Sequence, residues 1–557
     1  MKKIVWIILC QLYVTIGMGQ DVYKITYHYF RDGAMTKQDP VIVYASKDKT
    51  IITKQSVMDG NARYPYEESY VDLGEKTMIK QSALSSDKKI ATLDEQAFVR
   101  YSYTIADDRK KVLDREVRKA TTSVNSNAIE LWYNKDLGIN ASPNDMGVAL
   151  GFVMEYRRNG NSGLVATNVE LVKSLPSLLK FPDKNSLLDG LTYKDILWKS
   201  RFIQIPIFKN EQICFQPGIK SDSIMRFAEG TVIMKRIRIP EVSENSQAFI
   251  ELVEKSNGDA YDRTGSVFMI AEDQSQSFLD GMKNGMKTLP AYENGDGQSY
   301  LGMVRTTGYS PIFELMRFFT PFGVSHFNGR LALKDKTWQD SVTYRQDVSE
   351  FLKVMAGKDV YIGTYIGNYD KGGHKVSLEL TIHPGGSNYA KSVDMLALFN
   401  TTNVMEMGGQ GYPTLFGQEK GLEFEFVLDK DVKNAKLRYI TTGHGGWGNG
   451  DEFVPKTNRV YLDGQSMFQF TPWRVDCGSY RLYNPVSGNF ENGLSSSDLS
   501  RSNWCPGTIT YPIFIDLGDL KAGKHKLRVQ IPQGPKEGDS MSFWNVSGAL
   551  VFDKEEI

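Results

Sequence analysis

From Ser223 onward the chain is written in short runs that alternate apolar and polar residues: GTVIMKRIRIP, AFIELVEK, GSVFMIAE, FELMRFFTPF, DVYIGTYI and KVSLELTIHPGG. Turns rich in Gly, Asn, Asp and Pro separate them, and helical periodicity is nearly absent. Period-two runs with such punctuation leave few choices: an all-β chain whose sheets close as sandwiches or barrels. After HPGGSNYAKS, read as a linker, the same grammar resumes with VDMLALFN, LEFEFVLD, AKLRYITT, RVYLDGQ, YPIFIDLG, HKLRVQIP and FWNVSGALVFD. Two β domains of similar size are expected, 223–388 and 389–557. Residues 20–222 read as a separate β-rich domain. Its strands are VYKITYHYF, two in VIVYASKDKTIITKQ, Phe98–Ile105 and Ala128–Tyr133, with one helix near Leu187–Ser200.

The first 19 residues have a two-lysine start, an apolar stretch from Ile4 to Ile16, and small residues at Gly17 and Gly19. That is the pattern of a signal peptide, so the chain is expected to be exported, periplasmic or secreted. No later stretch reaches the ~18 apolar residues a spanning helix needs, so no membrane insertion follows cleavage. With 66 basic and 66 acidic residues, nothing calls for a nucleic acid or an anionic membrane surface as partner. A monomer is expected. Export permits disulfides. Cys477 and Cys505 flank a loop rich in Gly, Asn, Ser and Pro, the kind of segment a bridge closes to advantage, by about 3 kcal/mol. Cys214 is then left over as a buried free thiol.

Two stretches carry candidate chemistry. The first, Leu437 to Asp463, is a strand that empties into a loop with glycines, His444, Trp447 and the adjacent pair Asp451–Glu452. It reads either as a solvated hairpin or as an acid/base site beside an aromatic surface. Gly443, Gly445 and Gly448 spell GxGxxG, but Asn449, Gly450, Asp451 and Pro455 follow where a dinucleotide site needs a helix. The second is NGDAYDRTGSVFMI, with Asp259, Asp262 and Arg263 just before a strand. Asn-Gly-Asp also favours a plain turn. The six histidines are scattered, none at metal-ligand spacing, so neither metal nor cofactor is expected.

Together these stretches resemble the bacterial peptide-N-glycosidase F family of N-glycan amidases. AEGTVIMKRIRIP leading to GDAYDRTGSVFMI, then FELMRFFTPFG, DVSEFL, LRYITTGHGGWGNGDEF and SRSNWCPG match the family's segments in order, over roughly Phe227 to Phe552. The resemblance implies two jelly-roll sandwiches packed side by side, with the site between them. It implies hydrolysis of the amide linking asparagine to the innermost N-acetylglucosamine of N-linked glycopeptides and glycoproteins. Asp262 and Glu452 fall on the family's catalytic acids, and Arg263 and Arg501 on its active-site arginines. Trp447, Trp504, Tyr365 and His444 fall in segments expected to contact substrate. Cys477 and Cys505 fall where the family closes a disulfide loop. Three departures stand out: Gly363 occupies the place of a third acid, Tyr365 replaces a Trp, and Phe453 and Val454 replace a Trp and a Cys. Asp370, in the following loop, is a candidate stand-in for the acid. The N-terminal domain resembles the extra module of longer members. Two other readings use the same residues: a non-catalytic glycan-binding sandwich with tryptophan platforms, and a glycoside hydrolase with paired carboxylates. Poor histidine spacing disfavours a copper monooxygenase.

Overall fold

The computed structural model describes residues 21–219, 221, 223–243, 245–323, 334–385, 393–445, 450–485 and 496–553. The signal-peptide segment, Trp447 and most of the linker at 386–392 lie outside these residues. Among the described residues no helix is long and apolar enough to cross a membrane. The chain divides into two compact units, Met1–Arg201 and Phe202–Ile557.

The first unit is built on one antiparallel sheet of 12 strands. Val22–Arg31 lies at its middle, paired with Val41–Ala45 on one side and Ser162–Val172 on the other. Its helix, Gly190–Lys199, begins where the side chain of Asp189 accepts the amides of Leu191 and Thr192 at 3.0 Å. Such a cap satisfies donors that the first turn leaves open. Tyr193 and Leu197 form the buried face, whereas Leu191 is exposed, so the apolar spacing marked the helix but not its inner side. The strand expected at Phe98–Ile105 instead runs Thr104–Val112 and is almost wholly solvent-facing. Cross-strand pairing with Arg115–Val124, not apolar alternation, holds it.

The second unit contains two antiparallel sandwiches. In the first, a sheet of Ile203–Ile213, His374–His383, Gln247–Ser256 and Val342–Asp347 faces a sheet containing Val232–Arg238, Asp359–Ile366, Thr264–Met269 and Phe313–Phe319. The boundary read at residue 222 cuts behind Ile203–Ile213, which pairs with His374–His383 and belongs to this sandwich. In the second sandwich, Val393–Asn400, Phe543–Asp553, Val432–His444 and Ile513–Leu520 face Leu422–Leu428, Gly523–Gln530, Asn458–Leu462 and Gln465–Phe470. Inward positions alternate as the sequence indicates, for example Ile250 and Leu252 in one core and Phe424 and Phe426 in the other.

Two buried arginines tie the sandwiches together. Arg317 pairs with Glu314 at 2.7 Å and donates to Thr402 at 2.8 Å and Thr442 at 3.1 Å. Arg438 donates to the carbonyls of Glu314 and Leu315 at 2.8 and 3.0 Å and to Glu350 at 2.7 Å. Ile509–Thr510 crosses over and pairs with Phe318 and Arg317, extending the sheet of the first sandwich. The sandwiches are thus held in one register, and the loops at their junction have a fixed frame.

Candidate active site

Asp262 sits at the end of a loop that enters the strand Thr264–Met269. The loop is fixed from both sides. Thr320 receives the Arg263 amide at 2.8 Å and donates to the Tyr261 carbonyl at 2.9 Å. Asp259 accepts the Tyr261 amide at 3.1 Å and the Arg263 guanidinium at 2.7 and 3.2 Å. The turn expected from Asn-Gly-Asp is present, and it serves to present Asp262.

Asp451 and Glu452 do not act as a pair. Asp451 is fully buried and accepts Trp544 Nε1 at 2.7 Å and the Gly534 amide at 3.0 Å. It is an anchor. Glu452 turns the other way, toward Arg501. The glycines beside it have local causes. A Cβ on Gly443 would lie 2.8 Å from Ser502 and Trp544, and Gly445, at φ +73°, would place one 2.1 Å from the Met541 carbonyl.

The carboxylates that meet are Asp262, from the first sandwich, and Glu452, from the second, joined by the buried guanidinium of Arg501. Arg501 Nη2 is 3.3 Å from Asp262 Oδ2, and Nη1 donates to Glu452 Oε1. Nη2 also reaches the Ser496 carbonyl at 2.6 Å and hydroxyl at 2.9 Å. The two acid side chains remain 16% and 18% exposed, enough to meet a ligand. Burial pushes Glu452 upward; Arg501 pulls it back, Asp262 adds its own charge, and the result is about 7. Burial also raises Asp262, opposed by Arg501. Two acids around one cation cannot both ionise freely, so the pair holds a proton near neutrality.

An aromatic floor supports Arg501. Its guanidinium lies 4.4 Å from the Trp504 ring and 5.0 Å from Phe453. Trp504 donates Nε1–H to the Gly443 carbonyl at 2.9 Å and stacks on Phe319 at 4.4 Å. His444 shares a hydrogen bond of 2.7 Å with Thr442 and lies in the same floor, 5.2 Å from both Trp504 and Phe543. Burial lowers its basicity, with Arg317 and Arg501 adding to the effect, so it is neutral. Trp504 and His444 were expected to touch ligand; at 3% and 5% exposure they instead carry the arginine from beneath.

Comparison with known proteins shows the family to which this fold belongs. The family described as "Peptide-N-glycosidase F, N terminal" matches residues 204–382, and "Peptide-N-glycosidase F, C terminal" matches 411–551. A third, "N-glycanase peptide, N-terminal domain", matches 25–195. Two crystal forms of PNGF-II are each 50% identical, cover 96% of this chain and 99–100% of their own, with TM-scores of 0.87 and 0.88. The chain belongs to the peptide-N-glycosidase F family. PNGase F from Flavobacterium meningosepticum is also matched, at 14% identity over 63% of this chain and 96% of its own, with a TM-score of 0.41. No curated protein matches the sequence.

On the strand Asp359–Ile366 the local packing decides which side chains reach the site. A Cβ at Gly363 would lie 2.4 Å from the Phe268 ring, so packing across the sheet leaves no room there for an acid. Tyr365 is buried, and its hydroxyl donates to Glu406 at 3.2 Å; Tyr369 donates to the same carboxylate at 2.7 Å. Glu406 comes from the second sandwich, and no motif announced it. Asp370 does not take that place: its Oδ1 accepts the amides of Gly372 and Gly373 at 2.7 and 2.8 Å. Arg263 lies between the exposed rings of Tyr261, at 4.9 Å, and Tyr369, at 5.4 Å. The bridge Cys477–Cys505 forms as expected, and Cys214 is free and buried. Among the described residues no three His, Cys, Asp or Glu are grouped to hold a metal ion.

Proposed function

We propose that this protein is an exported, monomeric amidase of N-linked glycopeptides and glycoproteins. It hydrolyses the bond between asparagine and the innermost N-acetylglucosamine, leaving aspartate and the intact glycan as a glycosylamine. The observation that carries this reading is the bridging of Asp262 and Glu452 by Arg501, two part-exposed carboxylates on one buried cation. Amide hydrolysis needs a held water, a base to take its proton, and positive charge where the carbonyl oxygen becomes anionic. Glu452, poised at about 7, accepts the proton of the attacking water. The water oxygen adds to the amide carbon, Arg501 steadies the charge near the site, and the C–N bond breaks as the proton passes to the departing amine. Asp262 contacts the amide and the first sugar. Arg263, between Tyr261 and Tyr369, offers donors and aromatic surface to the glycan.

Mass spectrometry of a defined N-glycopeptide tests this. Release of the whole glycan with a gain of about 1 Da at asparagine, lost in Asp262→Ala and Glu452→Ala, is the expected result. Retention of one N-acetylglucosamine on the peptide would make the protein a glycosidase instead. An unchanged peptide would leave a glycan-binding role.

A further inference from the structure

Behind the loop that presents Asp262, four ionisable side chains stand in a line of alternating charge. Glu254 and His374 come from neighbouring strands, Gln247–Ser256 and His374–His383, in which Ser256 pairs with His374 and Glu254 with Val376. That register puts Glu254 and His374 diagonally on the same face. It is the face that Ile250, Leu252, Val376 and Leu378 turn toward the core. Charge therefore replaces apolar packing at the end of a sandwich core, and both side chains are fully buried. His374 Nδ1 is 2.7 Å from Glu254 Oε1, and Nε2 faces Asp259 Oδ2 at 3.5 Å. Asp259, 3% exposed, in turn grips Arg263 with both carboxylate oxygens.

Burying such a row is costly unless its charges cancel. With His374 as imidazolium they do: Glu254 and Asp259 against His374 and Arg263. An apolar pair would fill the same core positions at less cost, which leaves the loop as the beneficiary. Asp259 is in the sequence loop that carries Asp262, and Arg263 is the next residue after it. Pulling on Asp259 sets both.

We propose that His374, held by Glu254, is a positioning residue of the active site: as an imidazolium it fixes Asp259, and through it the placement of Arg263 and Asp262 toward substrate. The inference rests on the amidase reading for its kinetic consequence only. The charged groups that face His374 are Glu254 across the strand pair and Asp259 from the loop. Arg263 lies beyond Asp259, Tyr344 on the strand Val342–Asp347 faces Glu254, and Asp370 is engaged by the Gly372 and Gly373 amides. Burial works against the imidazolium, but Asp259 and Glu254 outweigh it and raise His374 to about 9. Above that pH the ring turns neutral, the row is left with one negative charge in excess, and the placement of Asp259, and with it of Arg263, shifts.

The test has two readouts on the full chain. First, 15N-imidazole NMR of the wild type is compared with His374→Gln to assign one resonance, and that resonance is followed with pH. It is expected to remain doubly protonated to about pH 9 and to titrate lower in Glu254→Gln. A resonance that titrates near the ordinary ~6.5 overturns the proposal whether or not the protein is an amidase. Second, kcat and KM are measured against pH on a labelled N-glycopeptide. His374→Gln is expected to lose about tenfold to a hundredfold in kcat/KM, the scale of a site displaced by an ångström, and to lose the alkaline limb near pH 9. Glu254→Gln, which keeps the histidine, is expected to move that limb to lower pH. Wild-type profiles in both variants overturn the proposal. No turnover by the wild type overturns the amidase reading, and the NMR titration then decides the relay by itself.

Discussion

Trp504 stacks on Phe319 with ring centroids 4.4 Å apart, one residue from each sandwich, directly beneath the guanidinium that joins the two acids. The contact makes the junction of the sandwiches and the floor of the site a single object. Trp504→Ala removes a buried indole whose N–H is satisfied, leaving a cavity and an orphaned Gly443 carbonyl. The expected cost is about 3–5 kcal/mol, with activity lost in proportion to the loosening of Arg501. Trp504→Phe keeps the stack and should lose less of both. Thermal unfolding and glycopeptide turnover on the two variants check this; an alanine variant of unchanged melting temperature would contradict it.

Adjacent acids should fail in opposite ways. Asp451→Asn weakens a buried carboxylate that holds Trp544 and the Gly534 amide, so it should lower the melting temperature, by about 1–3 kcal/mol of stability. Glu452→Gln should abolish turnover yet leave the fold at least as stable above pH 7. Folding raises the Glu452 pKa to about 7, so the folded state keeps a proton that the unfolded chain gives up. The group's ionisation therefore costs stability as pH rises from its unfolded value near ~4.3 through 7, and glutamine does not ionise. Unfolding at pH 5 and pH 8 separates the two variants.

The rate itself should carry the signature of Glu452. If its carboxylate takes the proton of water, kcat/KM rises with pH and levels off above about 7, up to the alkaline limb near pH 9 that His374 sets. Arg501→Gln removes the cation that pulls the acid down, so the limb should move to higher pH, and the plateau should drop by on the order of 10²–10³. A limb that stays put in the arginine variant would assign the ionisation to another group.

Alternating runs separated by Gly, Asn and Pro made the two sandwiches legible, because one-sided burial imposes a period of two that no helix shares. The site was legible less evenly. Asp262, Glu452 and Arg501 came from motif positions, and the structure brings those three together. Trp504 and His444 carried no mark of depth in the sequence, since an aromatic in a glycine-rich segment reads the same whether it faces solvent or underlies an arginine. Glu406 reaches Tyr365 only through the packing of one sandwich on the other, a relation no local pattern encodes. His374 and Glu254 did leave a trace: each breaks an apolar alternation at a core-facing position. The start of the second unit at Phe202 was hidden because Ile203–Ile213 is paired to a strand far along the chain.

The bridge Cys477–Cys505 should matter more to the site than to the fold. It closes a separation of 28 residues, for which loop-closure entropy gives about 3–4 kcal/mol. Within that loop stand Arg501, whose backbone pairs with Arg474 at 2.8 and 3.0 Å, and Trp504, next to the bonded cysteine. The two sandwich cores are built mainly from residues elsewhere, with Tyr483 of the loop packed against the first. Mild reduction should therefore release the segment that carries Arg501 while the sheets stay folded. Turnover is expected to fall while far-ultraviolet circular dichroism is unchanged, and protease cleavage is expected to begin between residues 477 and 505. The double variant Cys477→Ser, Cys505→Ser should reproduce the reduced enzyme, and loss of sheet signal together with activity would show instead that the bridge holds the whole second sandwich.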